Sequence, residues 1–122
     1  MAAILSYRDL KVWQKAMELV GATYDLTKRL PKDEAFGLTR QIRRAAVSIP
    51  ANIAEGHGRE HLGDYLHHLS IATGSLMELE TLFLIARQLT YLPENEVEEI
   101  LKRTAELSRM LSGLTKSLKS RC

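Results

Sequence analysis

The chain has 122 residues, 45% of them hydrophobic and 26% charged, with a formal net charge of +2. This describes one domain, residues 1–122, large enough to bury roughly two thirds of the surface its unfolded form exposes. The composition excludes disordered and fibrous classes. The single cysteine, Cys122, excludes an intrachain disulfide and reads as an inert exposed thiol.

The N-terminal MAAILSYRDL lacks the apolar stretch of a signal peptide. The most apolar run, Leu82 to Ala86, is far short of a bilayer span. A cytoplasmic protein without membrane attachment is the expectation. Charge is unevenly spread. Residues 1–50 carry nine Lys/Arg against five Asp/Glu, 51–100 two against nine, and 101–122 six against one. Basic ends and an acidic middle can pair within the chain or between copies, and can present a basic surface to nucleic acid.

Four stretches show helical periodicity, and no strand pattern competes. The first runs from about Asp9 to Arg29, with Trp13, Ala16, Met17, Val20, Tyr24 and Thr27 at 3–4 spacing as its predicted core face. Pro31 ends it, because proline disfavours helix in the residue before it. Asp33 is the predicted N-cap of a second helix from near Glu34 to Gly56-His57-Gly58. Its core stripe is Leu38, Ile42, Ala46, Ile49 and Ile53, with Pro50 predicted to kink it without breaking it.

The third helix starts at Glu60 to Leu62 and runs to about Leu89. It aligns Tyr65, Leu66, Leu69, Ala72, Leu76, Leu79, Phe83 and Ala86, while Leu62, Ile71, Leu82, Leu84 and Ile85 fall outside that stripe. A helix apolar on more than one face needs cover on more than one side, so this helix is predicted to face a neighbouring subunit as well. Leu92-Pro93-Glu94 opens the fourth helix, whose Val97, Leu101, Thr104, Leu107, Leu111, Leu114 and Leu118 repeat at 3–4 spacing. Short connections between long helices predict an all-α, antiparallel up-down-up-down four-helix bundle.

The segment QIRRAAVSIPANIAEG, Gln41 to Gly56, carries a polar stripe beside its apolar one. At ~100° per residue, Gln41, Ser48, Asn52 and Glu55 gather to one side of Ile42, with Arg44 just beyond. Ser75, Glu78 and Glu80 of the third helix are candidate partners. One reading is an acid/base pocket of Arg44, Glu55 and Glu78. The other is a hydrogen-bonded seam, Gln41, Arg44, Ser48, Asn52, Glu55, Ser75 and Glu78, that fixes register or a subunit contact. These residues lack a nucleophile–base pairing, so no catalytic residue, cofactor or metal is assigned.

His57, His61, Asp64 and His68 are spaced to share a helix face, as a metal site would require. They also suit a wet helix–helix corner, and bundle metal sites draw ligands from facing helices. The basic residues most suited to phosphate are Arg40, Arg43 and Arg44, with Arg109, Lys116 and Lys119 near the C-terminus. The alternative for them is pairing with the acidic middle.

DLKVWQKAMEL, then LTRQIRRAAVSIPANIAEG, then DYLHHLSIATGSLMELET resemble the bacterial four-helix bundle family encoded by intervening sequences in large-subunit rRNA genes. The accessory protein of diversity-generating retroelements is related to it. The resemblance covers about residues 5–118 and departs at the His-rich corner, where a Ser or Thr is expected near His61. It implies a four-helix bundle, a homo-oligomer of pentameric ring form, no enzymatic activity, and association with nucleic acid. The expected function is a homo-oligomeric binding or scaffold protein, with itself and RNA or DNA, or a ribonucleoprotein, as partners. The alternatives are a protein-binding adaptor without nucleic acid and a metal-dependent enzyme at the histidine corner.

Overall fold

The computed structural model describes residues 4–121. A 3-10 turn at Tyr7–Asp9 leads into α1, Lys11–Thr27. A second 3-10 turn at Lys32–Glu34 leads into α2, Leu38–His57, followed by α3, Leu62–Gln88, and α4, Glu94–Lys119. Among the described residues there is no strand.

Each helix touches its sequence neighbours, and α1 also touches α4, whereas the diagonal pairs do not meet. Cross-helix contacts run in opposite senses. Ser48 meets Ser75 and Asn52 meets His68 between α2 and α3, and Lys15 meets Glu106 and Arg29 meets Glu96 between α1 and α4. The helices are therefore antiparallel neighbours arranged in a square, as the short connections require.

The core is built from the predicted faces of three helices. Leu38, Ile42, Ala46, Ile49 and Ile53 of α2 are buried, and so are Leu69, Ala72, Leu76, Leu79, Phe83 and Ala86 of α3. Val97, Leu107, Leu111 and Leu118 of α4 join them, with Ile100 as an unpredicted member. α2 continues through Pro50, which is itself buried.

The predicted face of α1 holds at Ala16 and Thr27, and the rest of it is a correction. Its buried residues are Val12, Ala16, Leu19, Thr23 and Thr27, while Met17 and Tyr24 are exposed and Trp13 and Val20 half-buried. The two apolar rows lie about a quarter turn apart at ~100° per residue, so periodicity alone fits both. The smaller row goes inward against α2 and α4. The larger, partly amphipathic side chains stay at the rim, where Tyr and Trp are commonly found.

Two further corrections concern helix starts and α3. α2 begins at Leu38, not near Glu34, and its N-cap is Gly37, not Asp33. The orphan N–H of Leu38 instead donates to Glu34 Oε1 at 3.1 Å. Leu82, expected to point outward, is buried within the chain, whereas Ile71, Leu84 and Ile85 are exposed. α3 is also long and apolar enough, by length and composition, to cross a membrane. Its inner face supplies much of the core, so the apolar composition has an explanation inside the bundle.

α3 ends in a Schellman motif: Tyr91 N–H donates to Ala86 O at 2.9 Å and Thr90 N–H to Arg87 O at 3.0 Å. Thr90 sits at the left-handed position with φ of 60°, which glycine ordinarily fills.

Candidate functional site

The α2–α3 contact carries a hydrogen-bond chain. Asn52 lies one turn after Ser48, and its Nδ2 donates to Ser48 O at 2.9 Å and Ser48 Oγ at 3.0 Å. A carbonyl can only accept, so this fixes the amide orientation and leaves Asn52 Oδ1 facing His68 Nδ1 at 3.0 Å. His68 Nδ1 must therefore carry the proton and donate. Ser48 Oγ, accepting from Asn52, is also hydrogen-bonded to Ser75 Oγ at 2.9 Å, and either hydroxyl can donate. The chain runs from His68 through Asn52 and Ser48 to Ser75, crossing between the helices twice.

Gly56 permits this closeness. A Cβ there would lie 2.8 Å from His68 Cβ and 3.1 Å from Tyr65 Cδ1. Glu55 stands at the rim, half-exposed, with Arg59 Nη2 at 3.0 Å and His68 Nδ1 at 3.7 Å, too far for a hydrogen bond. Of the seven predicted seam residues, the fold links Ser48, Asn52 and Ser75. Gln41, Arg44 and Glu78 are exposed and take no part in the chain. Glu80, offered as a seam partner, faces the other way and accepts from Thr104 Oγ1 of α4 at 2.6 Å. Arg44, Glu55 and Glu78 form no shared pocket.

The histidine corner is likewise dispersed. His57 packs edge-on against Tyr65, with ring centroids 5.8 Å apart, and His68 belongs to the α2–α3 chain. His61 is the N-cap of α3, and Asp64 is exposed. Among the described residues no group of three or more His, Cys, Asp or Glu is placed to hold a metal. Burial holds the Tyr65 phenol above its ordinary 10.0, with the Arg121 charge pulling the other way.

The basic residues form two separate groups. Arg40, Arg43 and Arg44 occur at i, i+3 and i+4 on one face of α2. With Tyr24, Phe36 and Val47 they line a groove of about 540 Å³ beside α1. Arg43 is held in place: its Nε donates to Thr27 Oγ1 at 2.9 Å, and its guanidinium carbon lies 4.6 Å from the Tyr24 ring centroid. Arg40 and Arg44 are free at the rim. Lys116 and Lys119 line a second groove, about 710 Å³, between α3 and α4, with His67, Ser70, Ser108 and Ser112. Arg109 is exposed on α4 outside either groove. In an antiparallel bundle the first group lies near the α1–α2 turn, and the second lies at the opposite end on the opposite side.

Three residues of the acidic middle, Glu55, Glu96 and Glu99, form ion pairs elsewhere, and Glu106 beyond it forms another. Arg29 meets Glu96, Lys15 meets Glu106 at 4.0 Å, Arg59 meets Glu55, and Lys102 meets Glu99 at 3.8 Å. Among the described residues, none of Arg40, Arg43, Arg44, Arg109, Lys116 and Lys119 forms an ion pair.

The 23S rRNA-intervening sequence protein family matches residues 8–113. The chain belongs to this family. A crystal structure of a protein of unknown function from the S23 ribosomal protein family of Bacteroides thetaiotaomicron is similar, with a TM-score of 0.80 and 26% identity. The match covers 86% of this chain and 95% of that one. Comparison with curated proteins gives no match. Neither the family nor its solved neighbour is tied to a catalytic activity.

Sequence reasoning missed three features of the fold's surface. Phe36 joins Tyr24 and the arginines in one groove. Tyr91 Oη donates to Glu34 Oε2 at 2.9 Å, so one carboxylate ties the α3–α4 turn to the start of α2. That bond is the main reason the Tyr91 phenol is held above 10.0, with burial and the charges of Glu34 and Asp33 adding to it. His68 enters the seam through a cross-helix register that spacing along one helix does not reveal.

Proposed function

We propose that this chain is a non-enzymatic, self-assembling helical bundle of the cytoplasm that associates with RNA or a ribonucleoprotein through its basic surface. The observation that carries this reading is the grouping in two surface grooves of basic side chains that form no ion pair among the described residues. The ion pairs among the described residues involve basic side chains other than Arg40, Arg43, Arg44, Arg109, Lys116 and Lys119, and five of these six gather toward the two ends of the bundle, Arg40, Arg43 and Arg44 at one and Lys116 and Lys119 at the other. Unpaired cations grouped in this way bind a phosphate backbone with release of its counterions.

Self-assembly is supported by the outer face of α3. Ile71, Met77, Leu84 and Ile85 are 38–41% exposed there, on a helix whose opposite face already fills the core. A ring of copies would multiply a modest charge per subunit into a multivalent surface, and a homopentamer is the form expected from the family resemblance. The polar chain at α2–α3 supports a structural role, because its donors and acceptors are spent on one another.

The test has two readouts on the purified full chain: absolute mass by light scattering, and retention of labelled RNA as salt is raised. Several subunits per particle, with RNA released steeply between low and moderate salt, is the expected result. A monomer that retains no RNA even at low salt refutes the proposal. One stoichiometric protein partner recovered without nucleic acid turns the reading to an adaptor.

A further inference from the structure

We infer that the Arg40–Arg43–Arg44 groove is a binding site for single-stranded nucleic acid, in which Phe36 and Tyr24 stack bases while Arg40 and Arg44 hold the flanking phosphates. This rests on the RNA reading above and narrows it to one strand, one groove and one mode of contact.

Three observations carry it. The first is the placement of aromatic faces beside unpaired guanidiniums. Phe36 is 89% exposed, on the turn between α1 and α2, where no hydrophobic contact accounts for a phenyl ring. Tyr24 comes from α1, twelve residues earlier, and both line the groove with the arginines. Exposed aromatic faces beside a cationic track are what sequence-tolerant binding of single strands requires.

The second is rigidity. Gly37 N–H donates to Glu34 O at 3.0 Å and Ala35 N–H to Lys32 O at 3.1 Å, while Glu34 is itself held by Leu38 N–H and Tyr91 Oη. The Phe36 backbone is thus braced on both sides. Arg43 is fixed against Tyr24 by its bond to Thr27, leaving Arg40 and Arg44 to reach outward. A braced platform loses little conformational freedom on binding.

The third is size. A concavity of about 540 Å³ lies within the ~300–1,000 Å³ range of small-molecule sites. A single strand can turn a base face toward Phe36 there, whereas a duplex hides its base faces and offers nothing for Phe36 to stack upon. An acidic peptide would satisfy the arginines but would leave the exposed Phe36 ring without a matching planar partner.

The test measures fluorescence anisotropy of a labelled ten-nucleotide RNA strand, its duplex, and a poly-glutamate peptide, against the full chain and its variants. Phe36→Ala, at a surface position, should weaken single-strand binding by roughly 5- to 100-fold, the effect of losing one stacked base, and leave duplex binding within about twofold. Phe36→Trp should restore it. Arg40→Gln should lower the salt slope by ~0.7, one phosphate contact on a single strand. Ultraviolet crosslinking of the bound strand should map to Phe36 or Tyr24. If Phe36→Ala leaves single-strand affinity unchanged while Arg40→Gln weakens it, the stacking inference fails and the RNA reading stands. If the wild-type chain binds neither RNA form at low salt, both fail. Tight peptide binding that depends on Phe36, without RNA binding, reassigns the groove to an acidic protein segment and overturns the inference.

Discussion

Replacing Gly56 by alanine tests the closest approach in the bundle. The new Cβ would stand 2.8 Å from His68 Cβ, 3.1 Å from Tyr65 Cδ1 and 3.2 Å from Tyr65 O. A Cβ rides on the backbone and cannot rotate away. Carbons rest at ~3.5–4.0 Å, so the end of α2 must retreat from α3 by about 0.7 Å or more. Overpacking of this kind costs ~1–3 kcal/mol. The 3.0 Å bond between His68 and Asn52 stretches with it, at ~1 kcal/mol. Alanine returns ~1 kcal/mol through its better helix propensity. The net loss is therefore ~1–3 kcal/mol, or a Tm lower by roughly 4–12 °C at about 4 °C per kcal/mol for a chain of this size.

The assay is a circular-dichroism melt at fixed protein concentration, since assembly makes Tm concentration-dependent. Gly113→Ala on α4 is the control, because its Cβ would meet nothing within 4 Å. That variant should gain up to ~1 kcal/mol. If both substitutions raise Tm alike, α2 and α3 are not as close at Gly56 as described, and the hydrogen-bond chain that depends on that closeness loses its basis.

Three other substitutions probe features outside the α2–α3 contact. Thr90→Gly relieves a β-branched residue at φ 60°, and should stabilise the chain by about 0.5–1 kcal/mol after glycine's own entropy cost; a lower urea midpoint would refute this. Thr23→Val removes a buried hydroxyl that has no hydrogen-bond partner among the described residues, so urea unfolding should show stability unchanged or up to ~1–3 kcal/mol higher, not lower. Tyr91→Phe loses the bond to Glu34. Because the folded state holds Tyr91 above 10.0, its contribution is whole below that pH and is lost as pH rises through the folded value. The Tm gap between Tyr91→Phe and wild type should therefore close in alkali, and a gap constant to well above pH 10 would contradict the bond.

The four helices were legible because long stretches keep a 3–4 period, and three core faces followed directly from it. α1 was not, since Val12, Ala16, Leu19 and Thr23 form a row as regular as Trp13, Met17, Val20 and Tyr24. Only the neighbouring helices choose between them. The start of α2 was misplaced because a 3-10 turn and the Glu34 carboxylate together do what an N-cap residue at Asp33 was expected to do. Within the seam, the four-residue spacing of Ser48 and Asn52 was readable, but His68 reaches them only through the antiparallel register of α3. The Phe36 groove was hidden for the same reason. Periodicity alone places Tyr24 in the core, and its meeting with Phe36 and Arg43 exists only once α1 folds back on α2.

The two basic groups also constrain how any polyanion is held. Arg40 and Lys116 lie at opposite ends of helices ~30 Å long at ~1.5 Å per residue, several times the ~8–10 Å screening length at physiological salt. Within one chain they should act independently, so the losses in RNA affinity from Arg40→Gln and Lys116→Gln should add within ~0.5 kcal/mol. Assembly changes this expectation, because a neighbouring copy can bring its Lys116 beside this chain's Arg40. A double-mutant cycle on the assembled protein, repeated after Ile85→Glu at the outer face of α3, separates the cases. Coupling that appears in the assembly and vanishes with Ile85→Glu means that one strand crosses a subunit boundary. Additivity in both means that each groove takes its own segment of RNA, and that assembly contributes only by raising the number of grooves within reach.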